Sequence, residues 1–481
     1  MVSFGLFSRN KQILIVIYVI IYLLFYNHSY LYDQDEAAYA GFSKTMLESS
    51  DWIIMDFPFS EPHRKPPLHF WITAIAFKVF GEGEFTLRIF PALWIFLICI
   101  LTYSFCKKIY DKRTAFWAFC ILSLCLYFPL NGKIALVDGL LTFLEFCAFY
   151  LLYLHFFEEK KYSRYLFWIV LSLGALTKGP PIYIFTMGIL FFAFLKKDLR
   201  PKVISLHPWF FLPLSLLPLF IWGYLAWKKT NGELILWMLD WYILRRAINP
   251  VFGQQGPPGT YLLLFFIGLF PWSLFLPSVF KELYLQIKGI FRNYKTGITL
   301  ESLDFFLLSS LLSGWVIYEF MMSKLPSYVL ITYPILAIMI ARNLEKNYQQ
   351  NQIKIKIVII VSLVLTIVIQ TLLLIFNEKR SDTFTFAKLI QENLQENEII
   401  YFEKDYGLPS LAYYLNYPKQ KIKVLNGIQE VKNLEEGKLL ILDESSFYIL
   451  QYVKKLEVKD KKKLFLYDRN RHLELIIVRL K

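Results

Sequence analysis

Residues 85–106 read FTLRIFPALWIFLICILTYSFC, and KKIYDKR follows directly. A stretch this long with a single charge, Arg88, exceeds what one face of a globular core requires. It is long enough to cross about 30 Å of hydrocarbon, and a basic cluster closes it, as at the cytoplasmic end of a membrane span. Outward from this segment, further apolar runs lie near 12–26, 114–130, 134–156, 165–178, 180–195, 208–227, 260–280, 303–322, 327–341 and 355–376. About eleven crossings are expected.

Composition agrees. Hydrophobic residues make up 56% of the 481, aromatic residues 18% and charged residues 19%, against roughly 45–50% apolar and about 25% charged in soluble globular chains. Disordered, collagen-like and ordinary soluble-enzyme classes are excluded. The net charge of +14 belongs to topology and not to nucleic acid, because apolar runs separate the basic clusters. Cys99, Cys106, Cys120, Cys125 and Cys147 sit in or beside apolar runs, without a CxxC pair or a His-coupled spacing. Neither a disulfide framework nor a zinc site follows.

The basic residues alternate from loop to loop. Lys107–Arg113, Lys160–Arg164, Lys196–Lys202, Lys281–Lys295 and Arg342–Lys356 fall on one side together with Arg9 and Lys11. The long first loop on the other side, about 27–84, is instead rich in Asp and Glu. The N-terminus is therefore expected inside, with the first run retained as a signal anchor: no small-residue cleavage site follows it, and Tyr22, Phe25, Tyr26, Tyr30 and Tyr32 suit an interfacial belt. Beyond 377 the pattern changes to short strand-like runs, 422–425, 439–442, 464–467 and 473–478, alternating with helical stretches near 408–415 and 445–453. The expected architecture is an all-α polytopic membrane domain over 1–376, whose first outer loop carries interfacial helices, followed by a small outer α/β domain over 377–481. No fixed-period repeat, GxGxxG or GxxxxGK[ST] loop occurs.

Charged groups near a bilayer are costly unless they face protein or water, so their clustering on one side is a functional lead. Asp33-Gln34-Asp35-Glu36 opens the first outer loop, ahead of a helical pattern with Tyr39, Phe42, Met46 and Leu47 on one stripe. Such a helix is expected along the membrane surface. Asp35 is either a helix cap or a catalytic or substrate-orienting carboxylate. Asp33-x-Asp35 also has the spacing of a divalent-metal pair; no cofactor is adopted, and this pair is the alternative left open. Pro62-His63-Arg64-Lys65-Pro66-Pro67 presents cations in an extended segment, either to a lipid phosphate or as an interfacial anchor. His63 and His69 read as hydrogen-bonding groups before metal ligands. Lys178, Arg245-Arg246 and Lys324 are further outer cations, and Asp138 is an outer acid that is either a cap or a site residue. Taken together they fit an anionic head group whose tail enters the bilayer.

These residues also carry a family resemblance. Asp35-Glu36-Ala37-Ala38-Tyr39-Ala40, Met46-Leu47, Asp51-Trp52, Lys65-Pro66-Pro67, Leu176-Thr177-Lys178-Gly179, Pro271-Trp272 and Lys324-Leu325-Pro326-Ser327-Tyr328 resemble, in order, the bacterial aminoarabinose transferases acting on lipid A. They also resemble the wider group of polyprenyl-phosphate-sugar and protein O-mannosyltransferases. The match covers about 12–341. It departs at Ala38, where the family has arginine, and at Arg64, where it has an acid. The resemblance implies a GT-C fold in the bacterial inner membrane. It implies inverting transfer at the periplasmic face, from a polyprenyl-phosphate sugar of the undecaprenyl type to lipid A or another envelope acceptor. The same resemblance implies Asp35 and Asp138 as the acidic pair, Lys65 and Tyr328 as donor-phosphate contacts and one of Arg245 or Arg246 as a phosphate-binding arginine. From the outer clustering of charge, Glu36 is expected to join the catalytic acids, and Lys178 and Lys324 the phosphate contacts. A protein O-mannosyltransferase-like enzyme is the alternative, and a multi-span lipid or sugar transporter the rival class; the absence of repeats and the one-sided placement of charge speak against transport.

Overall fold

The computed structural model describes residues 9–25, 27–60, 64–245, 255–292, 301–466 and 471–481. Every apolar run coincides with a helix or a helix pair. Among the described residues, four helices are long and apolar enough to cross a membrane: Glu84–Ile109, Val137–Phe157, Pro208–Thr230 and the first part of Tyr348–Glu392. A fifth is added if Thr260–Gly268 and Trp272–Leu285, bent by 118°, count as one span. The shorter helices, such as Lys112–Leu124 and Pro181–Leu195, are apolar over less than the thickness of a bilayer.

The chain divides into two compact units. The first comprises 1–25, 65–69 and 88–370, and the second 26–64, 70–87 and 371–481.

In the first unit the helices pack as antiparallel neighbours, Val137–Phe157 against Lys161–Lys178, Lys112–Leu124 against Thr332–Lys346, and Pro181–Leu195 against Ser302–Glu319. With lipid as the alternative neighbour, apolar contact alone gives little drive to associate, and close backbone approach matters more. Gly188 shows this: a Cβ there would lie 2.6 Å from Ser313 Oγ. Phe105 packs on Phe149 and Tyr153, and Phe149 stacks on Phe306 at 5.0 Å. The loops collect at two ends. At the basic end, Arg342 binds Asp304, Lys108 binds Glu158 at 2.9 Å and Arg113 binds Glu345 at 2.9 Å. The other end gathers 125–138, 178–180, 259–261 and 318–333.

The second unit is built on a five-stranded sheet of order β2-β1-β3-β5-β4, with β1 at Ile400–Phe402, β2 at Ile422–Val424, β3 at Leu439–Asp443, β4 at Leu456–Leu466 and β5 at Arg471–Leu480. β1 pairs in parallel with β2 and β3, whereas β5 runs antiparallel to β3 and β4. Side chains alternate between two cores. Ile400, Phe402, Leu439, Ile441, Leu475 and Ile477 face Phe386, Ile390, Leu411 and Leu415. Tyr401, Leu440, Leu442, Ile476 and Val478 face Val431 and Leu450. Burial on both faces explains why Leu439–Leu442 is uniformly apolar. β1 is absent from the sequence expectation, since three residues carry too little periodicity to read.

Helix Asp35–Ser49 is buried almost throughout its first three turns, Glu36 to Lys44 and Met46, so protein covers more of it than its apolar stripe. Tyr39 and Phe42 pack on Phe70 at 5.2 and 5.3 Å. Asp33, two residues ahead of this helix, caps another: its oxygens accept from the Ser410 N–H at 2.8 Å and from Ser410 Oγ, at the start of helix Pro409–Leu415.

Asp33→Ala should therefore destabilise the purified protein by about 1 kcal/mol, the usual value of a helix cap, and lower its unfolding midpoint by roughly 2–4 °C. Asp33→Asn should keep most of this. Equal midpoints for Ala and wild type would show that the cap contributes nothing.

Candidate functional site

Val137–Phe157 and Lys161–Lys178 are joined by a link of three residues, so the start of one lies beside the end of the other. Asp138 stands in the first turn of one helix and Lys178 in the last residue of its partner. Their charges complement both helix dipoles. Lys178 Nζ donates to Asp138 Oδ1 at 2.5 Å, with the two side chains 13% and 11% exposed. This corrects the capping alternative for Asp138, because Leu136 is the cap residue and no side chain caps that helix. Gly179 ends the lysine helix at φ 80°, where its N–H bonds the Ala175 carbonyl at 2.8 Å. A side chain there would be strained, so glycine fixes where Lys178 stops. Removing either partner would leave a buried charge alone, at about 3–5 kcal/mol.

Further groups converge on this pair. The Lys178 ammonium lies 5.3 Å from the Tyr328 ring, and Tyr318 packs on Tyr328 at 5.8 Å. Glu145, two turns below Asp138 on the same helix face and only 4% exposed, lies within electrostatic reach of both Lys178 and Asp138. The sequence reading passed over Glu145 and Tyr318, although an acid inside an apolar run is itself a signal. Lys324 is placed differently. Its buried ammonium donates to the carbonyls of Tyr318 at 3.3 Å and Glu319 at 2.6 Å, closing the C-terminus of helix Ser302–Glu319. The Glu319 carboxylate, 3.7 Å away, also accepts from the Gly259 N–H and the Trp315 indole.

Lys65 stands at Tyr242, with its ammonium 2.5 Å from the phenol oxygen. Arg245 is 57% exposed and ion-paired with Asp240 at 2.6 Å. Arg246 and His63 lie outside the described residues. Lys133, another group that sequence reading missed, donates to the Phe25 carbonyl at 2.5 Å; burial and the neighbouring Arg88 charge pull its amine down to about 7.

In the second unit, Asp35 is the first helical residue and not the cap, a position held by Gln34. The Tyr39 hydroxyl donates to Asp35 Oδ1 at 3.3 Å. Glu36, 1% exposed, accepts from the Tyr32 N–H at 2.9 Å and so locks the turn that enters the helix. Arg64 donates to the Met55 carbonyl at 3.1 Å and lies 3.9 Å from Asp56. Among the described residues no three His, Cys, Asp or Glu side chains converge as a metal site.

Residues 64–227 match the family model described as dolichyl-phosphate-mannose-protein mannosyltransferase. An undecaprenyl phosphate-alpha-4-amino-4-deoxy-L-arabinose arabinosyl transferase from Wigglesworthia glossinidia brevipalpis is 29% identical over 380 residues, 76% of this chain and 64% of that protein. An uncharacterized protein of Aquifex aeolicus is 28% identical over 335 residues, 69% of this chain and 63% of its own. The chain thus spans under two thirds of the length of these relatives. Among solved structures, ArnT from Cupriavidus metallidurans bound to undecaprenyl phosphate superposes with a TM-score of 0.74 at 15% identity, over 98% of both chains. The archaeal oligosaccharyltransferase AglB of Archaeoglobus fulgidus gives 0.53 at 12% identity, over 84% of this chain and 63% of that one. The resemblance read from the sequence, to GT-C proteins of the aminoarabinose-transferase type, is borne out.

His69 supplies a pH test. It is 3% exposed, and burial lowers its imidazole to about 4 against the opposing pull of Asp138. The unfolded chain takes up that proton near 6.5 and the folded one only near 4, so stability is complete above about pH 6.5 and falls as pH drops toward 4, by about 3 kcal/mol at most. The unfolding midpoint of His69→Gln should be flatter than wild type across this window; parallel curves would assign the pH dependence elsewhere.

Proposed function

We propose that this chain is an inverting glycosyltransferase that moves a sugar from a polyprenyl-phosphate donor to a cell-envelope acceptor, with lipid A as the first candidate. The observation that carries this reading is the convergence of Asp138, Lys178 and Tyr328, far apart in the chain, at the end of the helices opposite the basic loops. The solved relative with undecaprenyl phosphate and the arabinosyl transferases support the donor class. The positive-inside pattern supports eleven crossings of the inner membrane and a periplasmic site, with the membrane domain ending near 376 and the tail outside.

In the proposed reaction the acceptor attacks the anomeric carbon from the face opposite the phosphate, the carbon–oxygen bond to that phosphate breaks, and the polyprenyl phosphate leaves with the bonding pair. Charge grows on the leaving phosphate, which Lys65 and Arg245, or Arg246, would stabilise. Lys178, held by Asp138, adds positive charge and a carboxylate able to orient the donor. Tyr328 lines the lysine. Asp35 is proposed, from the sequence resemblance, as general base for a hydroxyl acceptor, or as the group that orients an anionic acceptor or supports charge on the sugar ring. Glu36, locked on Tyr32, supports the turn that presents it. The protein-mannosyltransferase match over residues 64–227 favours a protein acceptor as the second reading.

Purified protein should convert polyprenyl-phosphate sugar and acceptor into glycosylated acceptor and free polyprenyl phosphate, both identified by mass spectrometry. No transfer to lipid A or peptide from any such donor would reject the proposal. Asp35→Asn should lower the rate by about 100-fold or more with stability intact, and Asp138→Asn by no more than that. Wild-type turnover in Asp35→Asn beside a dead Asp138→Asn would move the centre of the site to Asp138.

A further inference from the structure

Beside Lys65 a short π-helical turn, Asp240–Arg245, carries a tyrosine, Tyr242, to which nothing above assigns a function. The Lys65 ammonium lies 2.5 Å from Tyr242 Oη and 3.9 Å from the centre of its ring. The two distances put the ammonium beside the hydroxyl oxygen, at the outer end of the phenol, where it donates to that oxygen. Such a hydroxyl is polarised by the cation, which makes its own hydrogen a better donor toward an anion. Lys65 is 7% exposed, so its contacts work in a largely dry setting where charge-assisted bonds are strong.

The phenol is itself held in place. Trp237 stands edge-on to Tyr242 at 5.8 Å and 85°, and Trp241 stacks on Trp237 at 5.8 Å and 12°. At the far side of the stack the Arg245 guanidinium lies 5.7 Å from the Trp241 ring, tethered by Asp240. The helix Glu233–Leu239 and the turn that follows it thus supply three aromatic rings between one cation and another. π-Helical turns are rare and concentrate at functional positions.

We infer that Tyr242 is a phosphate-binding residue: its hydroxyl and the Lys65 ammonium form a two-point seat for the phosphate monoester of a polyprenyl lipid, braced by Trp237 and Trp241. This rests on the donor class proposed above and adds a residue to it. Lys65 supplies the charge, whereas Tyr242 both fixes that charge and supplies a second directed bond. A hydroxyl bond to an ionised oxygen is a strong one in a site of low dielectric.

Tyr242→Phe keeps the ring and its packing on the tryptophans and removes only the hydroxyl, together with the bond it accepts from Lys65. Binding of undecaprenyl phosphate to the purified full-length protein, measured by a displacement assay, should weaken by roughly 10- to 100-fold. Binding of the uncharged polyprenol should be unchanged, and inorganic phosphate should compete with the lipid phosphate in wild type more effectively than in the variant. In turnover, donor KM should rise with kcat altered less than threefold, and the unfolding midpoint should stay within about 1 °C. Equal affinity of Tyr242→Phe and wild type for undecaprenyl phosphate would overturn the seat. An equal loss of phosphate and polyprenol binding would overturn it too, since it would make Tyr242 a wall for the lipid chain only. If wild type binds the phosphate lipid with the predicted Tyr242 dependence but transfers no sugar, the function above fails and the seat stands. If it transfers sugar and Tyr242→Phe matches it in donor KM, the seat fails alone.

Discussion

An ammonium group inside a dry protein needs a counter-charge, and Lys178 finds it in Asp138. That requirement fixes much of the first unit. It aligns the ends of two antiparallel helices, sets an acid at one N-terminus and a base at the neighbouring C-terminus, and places both beside Tyr328. The glycine that stops the lysine helix makes the register unambiguous. At the opposite, basic end of the helices the charges are also paired, Arg342 with Asp304 and Arg113 with Glu345. The hollow between Tyr110, Glu282, Asp304 and Arg342 is therefore framed by ion pairs that tie helix ends together.

The outer cations divide by what already holds them. Lys324 is spent on helix carbonyls and on Glu319, which makes it a closure for the KLPSY segment. Lys65 donates to the Tyr242 hydroxyl, and Arg245 is paired with Asp240 beside the Trp241 ring, so one aromatic turn orients both cations. Lys178 lies between these cases, neutralised by one carboxylate but close to a second, Glu145.

Much of the fold was legible in the apolar runs, because burial in lipid demands long uninterrupted segments and the helices fall where those runs lie. The strands β2, β3 and β5 and the helices Pro409–Leu415 and Glu444–Leu450 were legible for the same reason of periodicity, whereas only the end of β4 was, because its first part is mostly charged, and the one-turn helix Ile428–Val431 was not. β1 was not, since three residues between polar neighbours show no period. The span count was only partly legible: several helices are too short to decide by length, and the broken pair near 260–285 bends where sequence shows only Pro271. The individual polar residues of the site stood out, but their partners did not. Asp33 and Asp35 are two positions apart and serve different helices, one through Ser410 and the other through Tyr39. Tyr242 carried no signal at all, since its role comes from Lys65, which lies 177 positions away in sequence.

The most direct test is a cryo-electron microscopy map of the full-length protein in nanodiscs with undecaprenyl phosphate. Phosphate density within hydrogen-bond distance of Lys65, at the end of the helices that carries Asp138 and Lys178, is the predicted result. Phosphate density at the basic end, beside Arg113 or Arg342, with Lys65 left unliganded, would contradict it.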